Sequence, residues 1–285
     1  MLAVKPIELD AAVVAESIYG NLPHTVEPVA LTLSTAIQTE LQTFMTEFAA
    51  FTKISNVSEK CFRLDLYFDG TTVFVIEINV EIADGWGVSL NLLRAAGKSL
   101  SPMVVSLLPQ VIPTFPGDLR STEFDLARSE FQMYGQTAAV VVGASRVFDE
   151  LDSKIYLARF AQVWKGSLVK VPKTYYADAC PWEKVPKDVY LKFADKFCSE
   201  AIKARYSAKP RFELGRAKQM RKLYQAGQAI AQERIDSYRL ADNRQVQAVV
   251  MCSGTTPVTG YIQIAGPERQ VINDKDTAKG ALVFS

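Results

Sequence analysis

Residues 62–79, FRLDLYFDGTTVFVIEIN, decide how the rest of the chain is read. Two runs rich in Phe, Leu, Ile and Val flank Asp69-Gly70, and this pattern predicts a β-hairpin. Side chains alternate between faces along a strand. Phe62, Leu64, Leu66 and Phe68 therefore share one face, and Arg63, Asp65 and Tyr67 the other. In the second strand Phe74, Ile76, Ile78 and Val80 are expected to form the apolar face, opposite Val75, Glu77 and Asn79. The two polar faces coincide only if paired residue numbers sum to an even number, which excludes a two-residue Asp69-Gly70 turn. A three-residue loop, 69–71, satisfies the condition. It sets Arg63 opposite Glu77, with Asp65 diagonal to Glu77.

Such a face has a chemical use. Two unit negative charges ~4 Å apart repel by about 4 kcal/mol at an effective dielectric near 20, so they call for a cation. Asp65, Glu77 and Asn79 offer hard oxygen ligands that suit Mg2+, an ion that keeps waters and phosphates in its remaining positions. Arg63 would aim a fixed positive charge at oxygens that gain negative charge during reaction. The plain alternative is a solvated hairpin face with an Arg63–Glu77 pair.

The chain has 285 residues, enough for a large domain or several small lobes, with 48% apolar and 22% charged residues. A net charge of +1 gives no footprint for nucleic acid or an anionic membrane. No apolar run reaches the ~18–20 residues that span a bilayer, and Glu8 and Asp10 interrupt a signal-peptide pattern. A cytoplasmic location is the expectation. Cys61, Cys180, Cys198 and Cys252 lack metal-ligand spacing and are read as buried free thiols; His24, the single histidine, is read as a loop residue.

Leu31, Ile37, Leu41, Phe44, Phe48 and Phe51 recur at helical spacing, predicting a helix over about 30–51. Residues 88–97 read as a second helix ended by Gly97. Helices over 121–134 and 150–164 around the strand TAAVVVGA suggest a small α/β lobe with parallel strands. Strand DVYLKF, helix 213–227 and strand AIAQERI follow, then VQAVVMCS, TGYIQIA and GALVFS as antiparallel strands. The fold class is α+β, in several lobes.

FRLDLYFDGTTVFVIEIN resembles the R-x-D, turn, E-x-N signature of the ATP-grasp ligases, and GWGVSLNLLRAAG the loop and helix that hold substrate in D-alanine–D-alanine ligase-like relatives. The signature usually lies near the end of the chain, but here it lies near the start. DVYLKF resembles the strand whose lysine touches the nucleotide phosphates, AIAQERID the strand that contacts adenine, and VTGYIQIAGPERQVINDKDTAKGA the strands that normally precede the metal hairpin. That order resembles the circularly permuted ATP-grasp proteins, related to glutathionylspermidine synthase-like ligases.

The resemblance implies ATP and Mg2+ as cofactors, with Asp65, Glu77 and Asn79 on the metal and Arg63 stabilising the transferring phosphate or tetrahedral centre. It implies that Lys154 and Lys192 contact ATP phosphates, that Glu233 accepts the adenine amino group, and that the Arg234 and Ile235 backbone supplies hinge hydrogen bonds. Ser199 stands in a segment without the family's usual glycines and is a candidate phosphate contact; Gly87 and Ser89 are candidates for a substrate carboxylate at a helix start. The implied organisation is 1–105 as the metal-hairpin half of the catalytic lobe, 106–172 as an α/β lobe, 173–230 as the nucleotide clamp, and 231–285 as the adenine hinge with the remaining strands. The implied reaction is carboxylate–amine ligation through an acyl phosphate, on small-molecule or peptide substrates. A nucleotide-binding regulator without turnover, a kinase, or a ligase with another acceptor are the alternatives; homo-oligomerisation stays open.

Overall fold

A computed structural model describes residues 2–14, 25–80, 85–114, 121–136, 139–142, 153–194, 203–204, 219–267 and 277–285. His24, Cys198 and Ser199 lie outside the described residues.

The chain is built around an eight-stranded sheet in the order β1-β2-β14-β13-β12-β3-β4-β7. Its members are β1 (Val4–Pro6), β2 (Val26–Leu33), β3 (Cys61–Phe68), β4 (Val73–Val80), β7 (Val169–Lys170), β12 (Gln245–Ser253), β13 (Thr256–Ala265) and β14 (Ala278–Phe284). The C-terminal run β12–β13–β14 is antiparallel, as its alternation predicts, and β14 then lies parallel to β2. Two smaller sheets complete the fold. One pairs β5 (Val111–Thr114) in parallel with β6 (Ala139–Val142); the other has the order β10-β9-β11-β8, from Lys203–Ala204, Val189–Phe193, Ala229–Glu233 and Thr174–Tyr175.

Helix α1 (Thr35–Thr52) covers one face of the large sheet. Sequence periodicity places its start too early, because Leu31–Leu33 belong to β2. Ser34 ends the strand and caps the helix, its hydroxyl accepting from the Ile37 amide. Ile37, Leu41, Phe44, Met45 and Phe48 meet Phe62, Leu64, Leu66 and Phe68 of β3 in one continuous core. Each such side chain contributes about 1.5–3 kcal/mol when fully buried.

Helix α2 (Trp86–Ala95) covers part of the opposite face, packing Trp86 and Leu90 with Met251 and Tyr261. It starts two residues before the sequence expectation. Gly85 makes the entry with φ 107, and an added Cβ there would lie 3.0 Å from the Tyr261 ring. Helix α3 (Ser121–Met133) lies against α2, where buried Glu130 accepts from Arg94 at 2.8 and 3.0 Å and from Asn91 at 3.0 Å.

Helix α4 (Lys154–Phe160) joins the two sheets. Leu157 and Phe160 enter the large core, with the Phe160 ring edge-on to Phe44 at 5.2 Å. Ala158, one residue from Leu157, packs instead with Tyr176, Ala194 and Ile230 of the smaller unit. Beyond α4, the Glu40 carboxylate holds the Leu168 and Val169 amides at 2.8 Å and so fixes β7 against α1. Cys61 and Cys252 are buried free thiols, as expected, whereas Cys180 is half-exposed. Among the described residues no helix is long and apolar enough to cross a membrane.

Candidate functional site

The β3–β4 hairpin forms over the expected strands, but its register differs from the expected one. Phe68 pairs with Val73, leaving a four-residue loop, 69–72. Asp69 organises that loop: its carboxylate accepts from the Thr71 and Thr72 amides and the Thr71 hydroxyl at 2.8–2.9 Å, while Gly70 takes φ 97. These hydrogen bonds outweigh the desolvation that pushes the other way and hold the Asp69 carboxyl below its usual range.

The loop alone would give the wrong parity. A bulge corrects it: Leu66 pairs with Val75 and Asp65 with Glu77, so Ile76 is the extra residue in β4. Asp65 therefore stands opposite Glu77, and Arg63 opposite Asn79, rather than Arg63 opposite Glu77. The polar faces do coincide. The bulge also redistributes the apolar residues of β4. Val73 and Val75 enter the large core, whereas Phe74 and Ile76, expected there, lie with Tyr67, Ala265 and Ile235. A bulge places consecutive side chains on one side. Ile76 and Glu77 thus join an apolar pad directly to an acidic cluster.

The cluster is dense. Asp65 accepts from Arg63 Nε at 2.8 Å and Nη2 at 3.3 Å, with both residues buried. Glu77 accepts from Lys154 Nζ at 3.0 Å. Lys154 reaches it from the first residue of α4, whose backbone amide is tied to the Ala194 carbonyl at 3.0 Å. From the smaller sheet comes Lys192 of β9, 4% exposed, which donates to Gln232 Oε1 at 2.6 Å. The Gln232 amide is turned by its own donation to Thr174 Oγ1 at 3.3 Å.

Burial would raise the Glu77 carboxyl, but the charges of Lys154, Lys192 and Arg63 overcome it and hold Glu77 below the usual carboxylate range. Burial dominates at Lys192 and pulls its ammonium down to about 8; Glu77 and Asp65 oppose that shift and Lys154 adds to it.

Six residues singled out in the sequence therefore converge: Arg63, Asp65, Asn79 and Glu77 from the hairpin, Lys154 from α4 and Lys192 from β9. Others stand apart. Glu233 is at the exposed end of β11, its carboxylate 3.4 Å from the Lys173 amide. Arg234 is exposed and pairs with Asp188 at 3.1 Å, over the Tyr190 ring. Ile235 packs on the pad. Gly87 and Ser89 are buried inside the first turn of α2, and the Ser89 hydroxyl donates to the Trp86 carbonyl at 2.9 Å.

Neither a family model nor a curated protein matches the chain. The chemistry must be read from the side chains themselves.

Among the described residues, no three His, Cys, Asp or Glu side chains form a metal site by themselves. Mg2+ fits the donor set as a shared ion. Asp65 and Glu77 are direct cross-strand partners, whose Cβ atoms lie ~4.5–5.5 Å apart, and Asn79 follows on the same face. These oxygens can supply two or three positions, leaving the others to phosphate and water. Gln232 was not singled out from sequence, nor were the pad residues other than Ile235 as site residues. Gln232 had a signal, the one uncharged polar side chain inside the apolar run AIAQE. The pad had none, because it depends on the bulge.

Proposed function

We propose that the chain binds Mg-ATP between the hairpin and the smaller sheet and uses it as a carboxylate–amine ligase of ATP-grasp type with circularly permuted order. One observation carries this reading: among the described residues, three cations, Arg63, Lys154 and Lys192, surround two carboxylates, Asp65 and Glu77, in a largely buried site. Cations grouped in a largely buried site suit an anionic ligand. A triphosphate with Mg2+ supplies that anion, and the pad of Tyr67, Phe74, Ile76, Ile235 and Ala265 supplies an apolar seat for a purine beside it.

In this reading Lys154 and Lys192 hold the phosphates, and Asp65, Glu77 and Asn79 carry Mg2+, which withdraws charge from the phosphoryl oxygens when bound. The substrate carboxylate oxygen bonds to the γ-phosphorus as the bond to ADP breaks. The amine then attacks the acyl carbon, phosphate leaves, and the amine proton passes to solvent. Arg63 lies beside the metal ligands, placed to offset charge that builds on the transferring group. No side-chain nucleophile is required.

The arrangement of Arg63 favours a second reading. Its guanidinium is closed on Asp65 by two hydrogen bonds, as in a structural pair, so a nucleotide-binding regulator without turnover is also consistent. ADP and phosphate release from Mg-ATP, measured with pooled amino acids, short peptides and polyamines, separates the two. Substrate-dependent release lost in Arg63→Ala supports the ligase. Mg-ATP binding without release on every pool favours the regulator, and absence of Mg-ATP binding overturns both.

A further inference from the structure

A buried amide borders the pad on the same face of the large sheet. Gln247 lies in β12, where its register partner on β13 is Gln263; the neighbouring pair Ala248–Leu66 sets it next to Tyr67 of β3. Its flanking residues Val246 and Ala248 belong to the large core, so Gln247 faces the other way, towards the site. Two residues along β13 from Gln263 comes Ala265, itself part of the pad. Gln247 is 4% exposed, and no side-chain hydrogen bond to a described residue holds its amide. An amide that reaches the candidate ligand face is open to hydroxyls of a ligand seated there.

We propose that Gln247 reads the ribose of the bound nucleotide, hydrogen-bonding its vicinal hydroxyls and selecting ribonucleotides over deoxyribonucleotides. The inference rests on the Mg-ATP reading above and assigns the part of the nucleotide that reading left without a partner. Connectivity places the sugar. In a nucleotide the ribose is bonded directly to the base and, through one methylene, to the phosphates. With the base on Tyr67, Ile76 and Ile235 and the phosphates at Glu77, Lys154 and Lys192, the ribose must lie over the boundary between pad and cluster.

Gln247 borders that boundary. It is one strand from Tyr67, and two residues from Val249, whose partner is Asp65. At a strand spacing of ~4.8 Å and a rise of ~3.3 Å per residue, its Cα lies roughly 8 Å from that of Asp65, within side-chain reach of a sugar. The chemistry matches as well: each ribose hydroxyl donates and accepts, and a primary amide offers an acceptor oxygen and two donor hydrogens. Charge does not enter, so this contact sorts sugars without altering phosphate affinity.

Calorimetry of the whole chain with Mg2+ and ATP, 2′-deoxy-ATP, 3′-deoxy-ATP or ITP tests it. The wild type should hold ATP roughly tenfold tighter than at least one deoxy analogue, the worth of about one hydrogen bond. Gln247→Ala should weaken ATP to the level of that analogue and leave the analogue unchanged within about twofold. Gln247→Met, which keeps the volume and removes the amide, should do the same and guards against loss of packing. The proposal is overturned if either variant weakens ATP and the deoxy analogues equally, or if it changes the ATP-to-ITP ratio with the sugar preference intact. A wild type that binds Mg-ATP with no sugar preference overturns this proposal alone. One that binds no nucleotide overturns the reading on which it rests.

Discussion

The β3–β4 hairpin and the β9–β11 pair both bury charge, and they neutralise it by different means. In the hairpin Asp65 is closed by Arg63 two residues away on the same strand. That pair is made within one strand. On the smaller sheet Lys192 has only a neutral local partner, Gln232, and draws its opposing charge from Glu77 and Asp65 of the other sheet. The Arg63–Asp65 pair is made within one strand, whereas Lys192 depends on a neighbouring sheet. The dependent one is the group whose ionisation moves into an accessible pH range.

The largest effect expected from breaking this contrast is at Glu77. Glu77→Gln removes the carboxylate that Lys154 holds and Lys192 leans on, and leaves buried ammonium charge less compensated. Loss of one partner of a buried pair costs about 3–5 kcal/mol. Urea unfolding should show a loss of that size, and adding Lys154→Met should recover part of it. A double variant no more stable than the single one would contradict the shared role of Glu77.

Next is Lys192 itself. Its folded value of about 8 lies below the unfolded value, so between pH 8 and about 10.5 the unfolded chain binds more protons. The penalty for burying its charge is therefore full below pH 8 and fades as pH rises through that window. Wild type should gain up to about 3 kcal/mol over Lys192→Met between pH 7.5 and 10.5, measured as a difference of unfolding free energies. Nucleotide affinity runs the other way: it should fall above pH 8 as the ammonium is lost, and this fall should be absent in Lys192→Met.

A smaller change sharpens the comparison. Gln232→Leu removes the local acceptor, worth about 1.5–3 kcal/mol for a charged donor. The midpoint of the affinity loss should move down by about one pH unit or more. An unchanged midpoint would mean that Glu77, and not Gln232, holds the proton on Lys192. The smallest effect belongs at the periphery. Arg234→Ala breaks an exposed pair with Asp188 and should alter stability by no more than about 0.5 kcal/mol.

The sequence carried the strands well where alternation or continuous apolar character was strong, as in β3, β9 and β12, and it carried the polar face of the hairpin. Long-range order was less legible. That Lys154 touches Glu77 follows from where α4 sits between two sheets, and no local spacing encodes it. The start of α1 was misplaced because Leu31 and Leu33 suit a helical stripe and a buried strand equally well; Ser34 decides between them by its cap. The hairpin register failed for a similar reason. Parity demanded an even sum, and both a three-residue loop and a four-residue loop with a bulge meet it. Asp69, which ties Thr71 and Thr72 into the longer loop, tips the choice.

The bulge at Ile76 has a further consequence for how this hairpin can change. On either side of it the strand pairs follow regular alternation, so a chain lacking residue 76 would close into an ordinary ladder with Asp65 still opposite Glu77. The acidic cluster would survive and only the pad would lose a wall. Residue 76 is thus a removable part: length, and not only composition, can tune what rests on the pad, and a single codon lost there would leave both the core and the charge pattern in place.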